Sequence, residues 1–459
     1  MYTSDLVKAT VSFIDIVLFA TLFPLVLLIC YVRATYLRSA LDRSQNGKIL
    51  FLASGKFIKH QGSEDFAFKK LWDVSFQRQL ILPGFNKCYI FYEDEAHKEI
   101  YKLTNNIIGI VYSFGKQKKI FRKTFSLYRM LIWFYVMHNF LKKISPEIIY
   151  TNIPGDNLVV SSLLSIFYKI PLVAQAMGSY DLASFSEDEL AADSLKSFLY
   201  RSLSKLIFSF FFRCCSLVLA FNEYCASFAI HNGAHPAKVR NTRILPHFSD
   251  IKDLVEVLQV SKDEIQYPQK TKKNVIIWSR LATEKKLLYA IVGAIKALEI
   301  DEDLGLIIVG DGPLRRKIEN LIVSSEVKDR VYLLGHMQVN SLMSYVYFSD
   351  IALIPLGGYA MLEACVLKKP IVCFDIEWHH ELLTDEYSGY FADYPSTHQI
   401  CEKILEAAIN PEEAKKRGER AHEKFKILFN EERIREKESK IINNFRKTYA
   451  NKSSHGVNI

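Results

Sequence analysis

The sequence predicts an α/β protein of two doubly wound domains, each a parallel sheet with helices on both faces. Three observations carry this. At 459 residues the chain exceeds what one ordinary core holds. Short apolar runs alternate with helix-patterned stretches twice over, first from Lys48 to Ala220 and again from Asn274. Between the two series lies a polar, charged stretch, 246–273, interrupted by Pro268, which reads as a linker.

Before the first series, Phe13 to Val32 is nearly all apolar, broken by Asp15, Thr21 and Pro24. Roughly 20 such residues suffice to cross a bilayer as a helix. Arg33, Arg38, Arg43 and Lys48 follow the run, against Lys8 before it, so the charge bias places the remainder of the chain on the cytoplasmic side of a single-pass anchor. The expected order is a short tail (1–12), the anchor (13–32), a first Rossmann-like domain (48–245), the linker, a second such domain (274–427), a C-terminal helix (428–449) and a disordered tail (450–459).

In the first domain, Lys48–Gly55 reads as a buried strand ending in a glycine turn, with Gly62 close behind, and Cys88–Tyr92 as a second strand. A basic, aromatic stretch, Phe114 to Phe125, suits an anionic membrane interface. Alternation is then plain: strand Glu147–Tyr150, a helix capped by Asp156 through Tyr168, strand Pro171–Ala174, the turn Gly178-Ser179-Tyr180-Asp181, helical patterning from Leu190 to Phe212, and strand Ser216–Ala220.

A net charge of +9 favours anionic partners. No base-reading helix, zinc-finger spacing or RNA-binding signature accompanies it, so nucleic acid is not expected. The 8 cysteines are scattered, without a C-x-x-C pair, and fit small core residues in a reducing compartment. His379 and His380 lack a carboxylate or thiolate spacing that would complete a metal site, and no cofactor is expected.

The second domain carries the chemistry. Strand Ile276–Trp278 runs into a turn with two cations, Arg280 and Lys285. Strand Leu306–Val309 runs into Gly310-Asp311-Gly312-Pro313, where proline suits a first helical position. Strand Ile351–Ile354 runs through Pro355 to Gly357-Gly358-Tyr359 and a helix bearing Glu363. Fixed cations and amides at a helix N-terminus suit phosphate, and a carboxylate suits ribose hydroxyls. Taken singly, Glu284 could hold either cation in a surface pair, Gly310 and Gly312 could serve the turn alone, and Glu363 could merely balance a helix dipole.

The order R-L-x-x-x-K, G-x-G-P and glycine turn with Glu-Ala resembles the donor-binding half of the family 4 retaining glycosyltransferases. That resemblance implies a GT-B architecture, in which two Rossmann-like domains face a cleft and the C-terminal helix crosses back to the first domain. It implies that Arg280 and Lys285 embrace a donor diphosphate and act catalytically. Glu363, Gly357, Gly358, Tyr359, Gly310, Gly312 and Gly55 would contact the nucleotide sugar. Asp181, Gly178 and Gly62 would lie towards the acceptor, a lipid or lipid-linked glycan at the membrane. The implied reaction is metal-independent hexosyl transfer with retention. Two departures stand out: Pro355 occupies the place of the first Glu of the family's E-x7-E pair, and Met177 that of a His before the glycine. They leave room for a silent glycosyltransferase-like membrane scaffold; an epimerase would need a general acid/base pair that the sequence does not display.

Overall fold

The computed structural model describes residues 47–56, 84–94, 99–102, 106–113, 137, 140, 141, 143–153, 158–177, 195–243 and 271–454. The anchor expected at 13–32, most of the linker, the Phe114–Phe125 stretch, Asp156 and the tail beyond 454 lie outside them. Among the described residues no helix is long and apolar enough to cross a membrane. The chain divides into two units, one of residues 1–180, 202–242 and 435–459, the other of 181–201 and 243–434.

The first unit holds strands β1 (Lys48–Lys56), β2 (Lys87–Asp94), β3 (Glu99–Lys102), β4 (Ile107–Ser113), β5 (Ile148–Ile153), β6 (Leu172–Ala176), β7 (Leu217–Ala220) and β8 (Val239–Asn241). They form one sheet in the order β3-β4-β2-β1-β5-β6-β7-β8, parallel throughout except for β3 against β4. The β3–β4 hairpin edge has no counterpart in the sequence expectation, because Gly109 interrupts an already short apolar run. Helices α1 (Leu158–Tyr168), α2 (Leu195–Cys214, in this unit from Ser202) and α3 (Glu223–His231) join the strands. Phe208, Phe211 and Phe212 of α2 fill the core, and Phe208 meets Phe228 of α3 edge-on at 5.4 Å.

In the second unit, β9 (Lys273–Trp278), α4 (Leu287–Ile300), β10 (Leu304–Val309), α5 (Arg315–Val323), β11 (Val331–Gly335), α6 (Val339–Phe348), β12 (Ile351–Ile354), α7 (Tyr359–Val366), β13 (Ile371–Phe374), α8 (His379–Leu382), β14 (Tyr390–Ala392), α9 (Thr397–Ile409) and α10 (Pro411–Leu428) follow in turn. The all-parallel sheet runs β11-β10-β9-β12-β13-β14. Successive side chains of a strand point to opposite faces, and both faces are buried here. Val275 and Ile277 enter the core beneath α4 and α9, while Ile276 and Trp278 enter the one beneath α7 and α10. Continuous apolar runs are what such a sheet requires, which explains why these strands were readable.

Helix α11 (Glu431–Ser454) begins in the second unit, where Ile434 joins the core, and from Arg435 belongs to the first. There Arg446 grips Glu147 with two bonds of 2.7 and 2.9 Å and lies over the Phe85 ring. Glu147 also accepts from the backbone N–H of Gly47. The helix runs past the predicted end at 449, into the segment expected to be disordered.

Candidate nucleotide-sugar site

In the second unit the strand order reverses between β9 and β12, which pair directly. Loops leaving the carboxyl ends of two such strands diverge to opposite faces and open a crevice, the usual ligand position of open α/β sheets. The loops there are those carrying Arg280 with Lys285, and Gly357 with Gly358.

The cation turn is clamped from beneath. Ser279 N–H donates to Val309 O, Leu281 N–H to Asp311 O, and Leu314 N–H to Leu281 O, at 3.1, 2.9 and 2.9 Å. This close approach excludes side chains: a Cβ on Gly310 would stand 1.9 Å from Ser279 O, and one on Gly312 2.5 Å from Leu281 O. Both glycines have φ in the range that disfavours other residues, +136° and +155°. Gly310 and Gly312 therefore shape the turn that presents the cations.

Arg280 is 60% exposed and pairs with Glu284, as the surface-pair reading anticipated. Lys285 closes a 3-10 turn, Thr283–Lys285, and is half-buried. Among the described residues no hydrogen bond or close ion pair takes up its ammonium. Burial lowers its pKa, the neighbouring Arg280 lowers it further, and Glu377 opposes both. A partly desolvated cation beside a second cation is a poor arrangement for a bare protein and a good one for an anionic ligand. Lys286, at φ +59°, rests its ammonium over the Tyr394 ring.

Opposite, β12 runs into the glycine turn. Gly358 caps α7 with φ +147°, and a Cβ there would meet nothing within 4 Å. Gly357 is held instead: its N–H donates to Nε2 of His379 at 2.7 Å, and a Cβ would collide with that ring. Nδ1 of His379 lies 2.7 Å from Phe374 O, so Nδ1 carries the proton and donates while Nε2 accepts. This needs a neutral ring, and burial accordingly pulls the pKa of His379 down to about 4. Glu363, in the middle of α7, is buried and accepts from the Trp278 indole N–H at 2.8 Å. That bond ties β9 to α7 across the reversal and aims the carboxylate beside the cation turn.

Residues 260–424 match the family model described as Glycosyl transferases group 1. Over that stretch the chain is similar to the group 1 glycosyl transferases. It is 26% identical over 151 residues to an alpha-D-kanosaminyltransferase of Streptomyces kanamyceticus, covering 32% of this chain and 39% of that one. It is also 26% identical over 168 residues to the GtfA subunit of a UDP-N-acetylglucosamine–peptide N-acetylglucosaminyltransferase of Streptococcus gordonii, covering 36% and 33%. The chain thus spans well under half the length of each. Among solved structures, Anabaena Alr3699/HepE in complex with UDP and glucose superposes with a TM-score of 0.59 at 17% identity, over 86% of this chain and 99% of that one. That likeness extends the GT-B fold over both units.

Within the second unit the structure gathers Arg280, Lys285, Gly357, Gly358, Tyr359 and Glu363 around the β9–β12 reversal, with Gly310 and Gly312 supporting it. Gly55 lies near the end of β1 in the other unit, and Gly62, Gly178 and Asp181 fall outside the described residues. Three residues of the site escaped sequence reasoning: Trp278, His379 and Glu377. The only available signal for Trp278 was an aromatic with a hydrogen-bond donor at a strand end. His379 could be weighed only as a metal ligand, and among the described residues no group of three or more metal-ligating side chains forms a site.

Proposed function

We propose that this chain is a membrane-anchored glycosyltransferase that moves a hexosyl group from a nucleoside diphosphate sugar to an acceptor hydroxyl with retention. The observation that carries the reading is the ammonium of Lys285, half-buried near Arg280 in the loop after β9 and without a described hydrogen bond or close ion pair, while paired strand β12 leads into an uncapped helix N-terminus and a buried, oriented Glu363. The two cations and the amides of the α7 N-terminus stabilise charge as the C1–O bond to the diphosphate breaks. The acceptor oxygen bonds to C1 on the same face, and its proton leaves with the diphosphate. No protein nucleophile and no metal is called upon in this scheme. Glu363 accepts from the ribose hydroxyls, as the resemblance implies. A relative and a structural neighbour named for UDP compounds support a uridine nucleotide, and the apolar run at 13–32 supports a lipid or lipid-linked glycan acceptor.

The test is calorimetric titration of the full chain with UDP- and GDP-sugars, followed by assay for released nucleoside diphosphate. Binding with slow release, both lost in Arg280→Ala, is the expected result. Binding without any turnover favours the scaffold reading, and conversion of the donor sugar without an acceptor favours an epimerase.

A further inference from the structure

The loop from β13 to α8 holds a carboxylate that the proposed chemistry leaves unused. Glu377 has φ +53°, a backbone conformation that costs a side-chain-bearing residue and that glycine adopts freely. It is half-buried, and among the described residues no hydrogen bond or close ion pair takes up its carboxylate. Its chain neighbours fix its place. Trp378 and His379 pack directly against Gly357: a Cβ on that glycine would stand 3.1 Å from Cζ2 of Trp378 and 2.8 Å from Nε2 of His379. His379 N–H donates to Ile376 O, closing the loop on itself around Glu377. On the other side its charge is felt by Lys285 and Lys286. The loop that carries Glu377 thus packs against the glycine turn, and its carboxylate lies within electrostatic reach of the cation turn.

A carboxylate so placed is a poor neighbour for phosphate, which repels it. It is a good acceptor for neutral O–H groups, and a sugar presents several on adjacent carbons. We propose that Glu377 is a specificity-determining residue, whose carboxylate accepts hydrogen bonds from hydroxyls of the sugar attached to the bound diphosphate. This rests on the donor reading above. Burial pushes the pKa of Glu377 up, and Lys285 and Lys286 oppose that rise. The phosphates and the sugar would be read by two halves of one wall, cations first and carboxylate next.

The test titrates the full chain, Glu377→Gln and Glu377→Gly with UDP and GDP and then with UDP-glucose, UDP-galactose, UDP-N-acetylglucosamine and GDP-mannose. Glutamine keeps the shape without the charge, and glycine relieves the backbone, so at least one variant folds. Both variants should bind the free diphosphate at least as tightly as wild type, since a negative charge beside an anion has gone. Affinity for the preferred nucleotide sugar should fall about 10-fold or more, and discrimination between epimers should flatten. An equal loss for diphosphate and nucleotide sugar would overturn the proposal, because Glu377 would then act only through Lys285. Unchanged sugar affinity and preference would overturn it too. If wild type takes up none of these nucleotides, the donor reading itself fails and this proposal falls with it.

Discussion

Mild acid should loosen the glycine turn at the head of α7, because His379 holds that turn only as a neutral imidazole. Protonation would place an N–H at Nε2, facing the N–H of Gly357 that it now accepts, and two donors cannot bond each other. The pKa falls from 6.5 for the free ring to about 4 in the fold, chiefly because the ring is buried. Below 6.5 the unfolded chain therefore binds a proton that the folded chain refuses. The associated stability is fully present above 6.5 and drains away as the pH drops towards 4. Its full size is on the order of 3 kcal/mol, of which about 2 kcal/mol is gone by pH 5. The assay is urea unfolding of wild type and of the non-titrating His379→Asn variant between pH 7 and pH 4.5. The stability gap between them should narrow steadily as the pH falls. A gap that stays constant, or an imidazole resonance titrating near its free value, would refute the assignment of a neutral, accepting Nε2.

Three further outcomes follow from the same geometry. Lys285→Ala should weaken nucleotide sugar binding by about 10- to 100-fold, measured by calorimetry, since a charge-assisted contact is lost. Its thermal stability should hold or rise, because a partly desolvated charge without a described partner has been removed. Trp278→Phe deprives buried Glu363 of a donor and should cost about 1–3 kcal/mol in urea unfolding, together with a loss of nucleotide affinity. Gly310→Ala drives a methyl group into Ser279 O and should destabilise the second unit by on the order of 4 kcal/mol, read as a lower melting temperature; a near-normal transition would show that the turn can yield.

Much of the second unit was legible because its strands are buried on both faces and so appear as unbroken apolar runs, β9, β10 and β12 among them. Arg280, Lys285 and Glu363 were legible because each sits in a short pattern beside a strand end. The contacts that position them were not. Trp278 and Glu363 are 85 residues apart, and Gly357 and His379 are 22 apart, and only the strand order brings each pair together. Glu377 was hidden for a different reason, since a glutamate at positive φ leaves no trace in hydropathy or spacing. The β3–β4 edge was missed because a two-strand antiparallel margin breaks the βα rhythm on which the rest was read.

The path of α11 has a bearing on biosynthesis. Residues 243–434 make up nearly all of the second unit, and every one of them is translated before Arg446. That unit can reach its final form while the N-terminal sheet still waits for the guanidinium that Glu147 requires. A half-buried carboxylate without its cation is a costly intermediate state. The N-terminal half, although made first, should therefore be the later to mature and the more dependent on chaperones during synthesis.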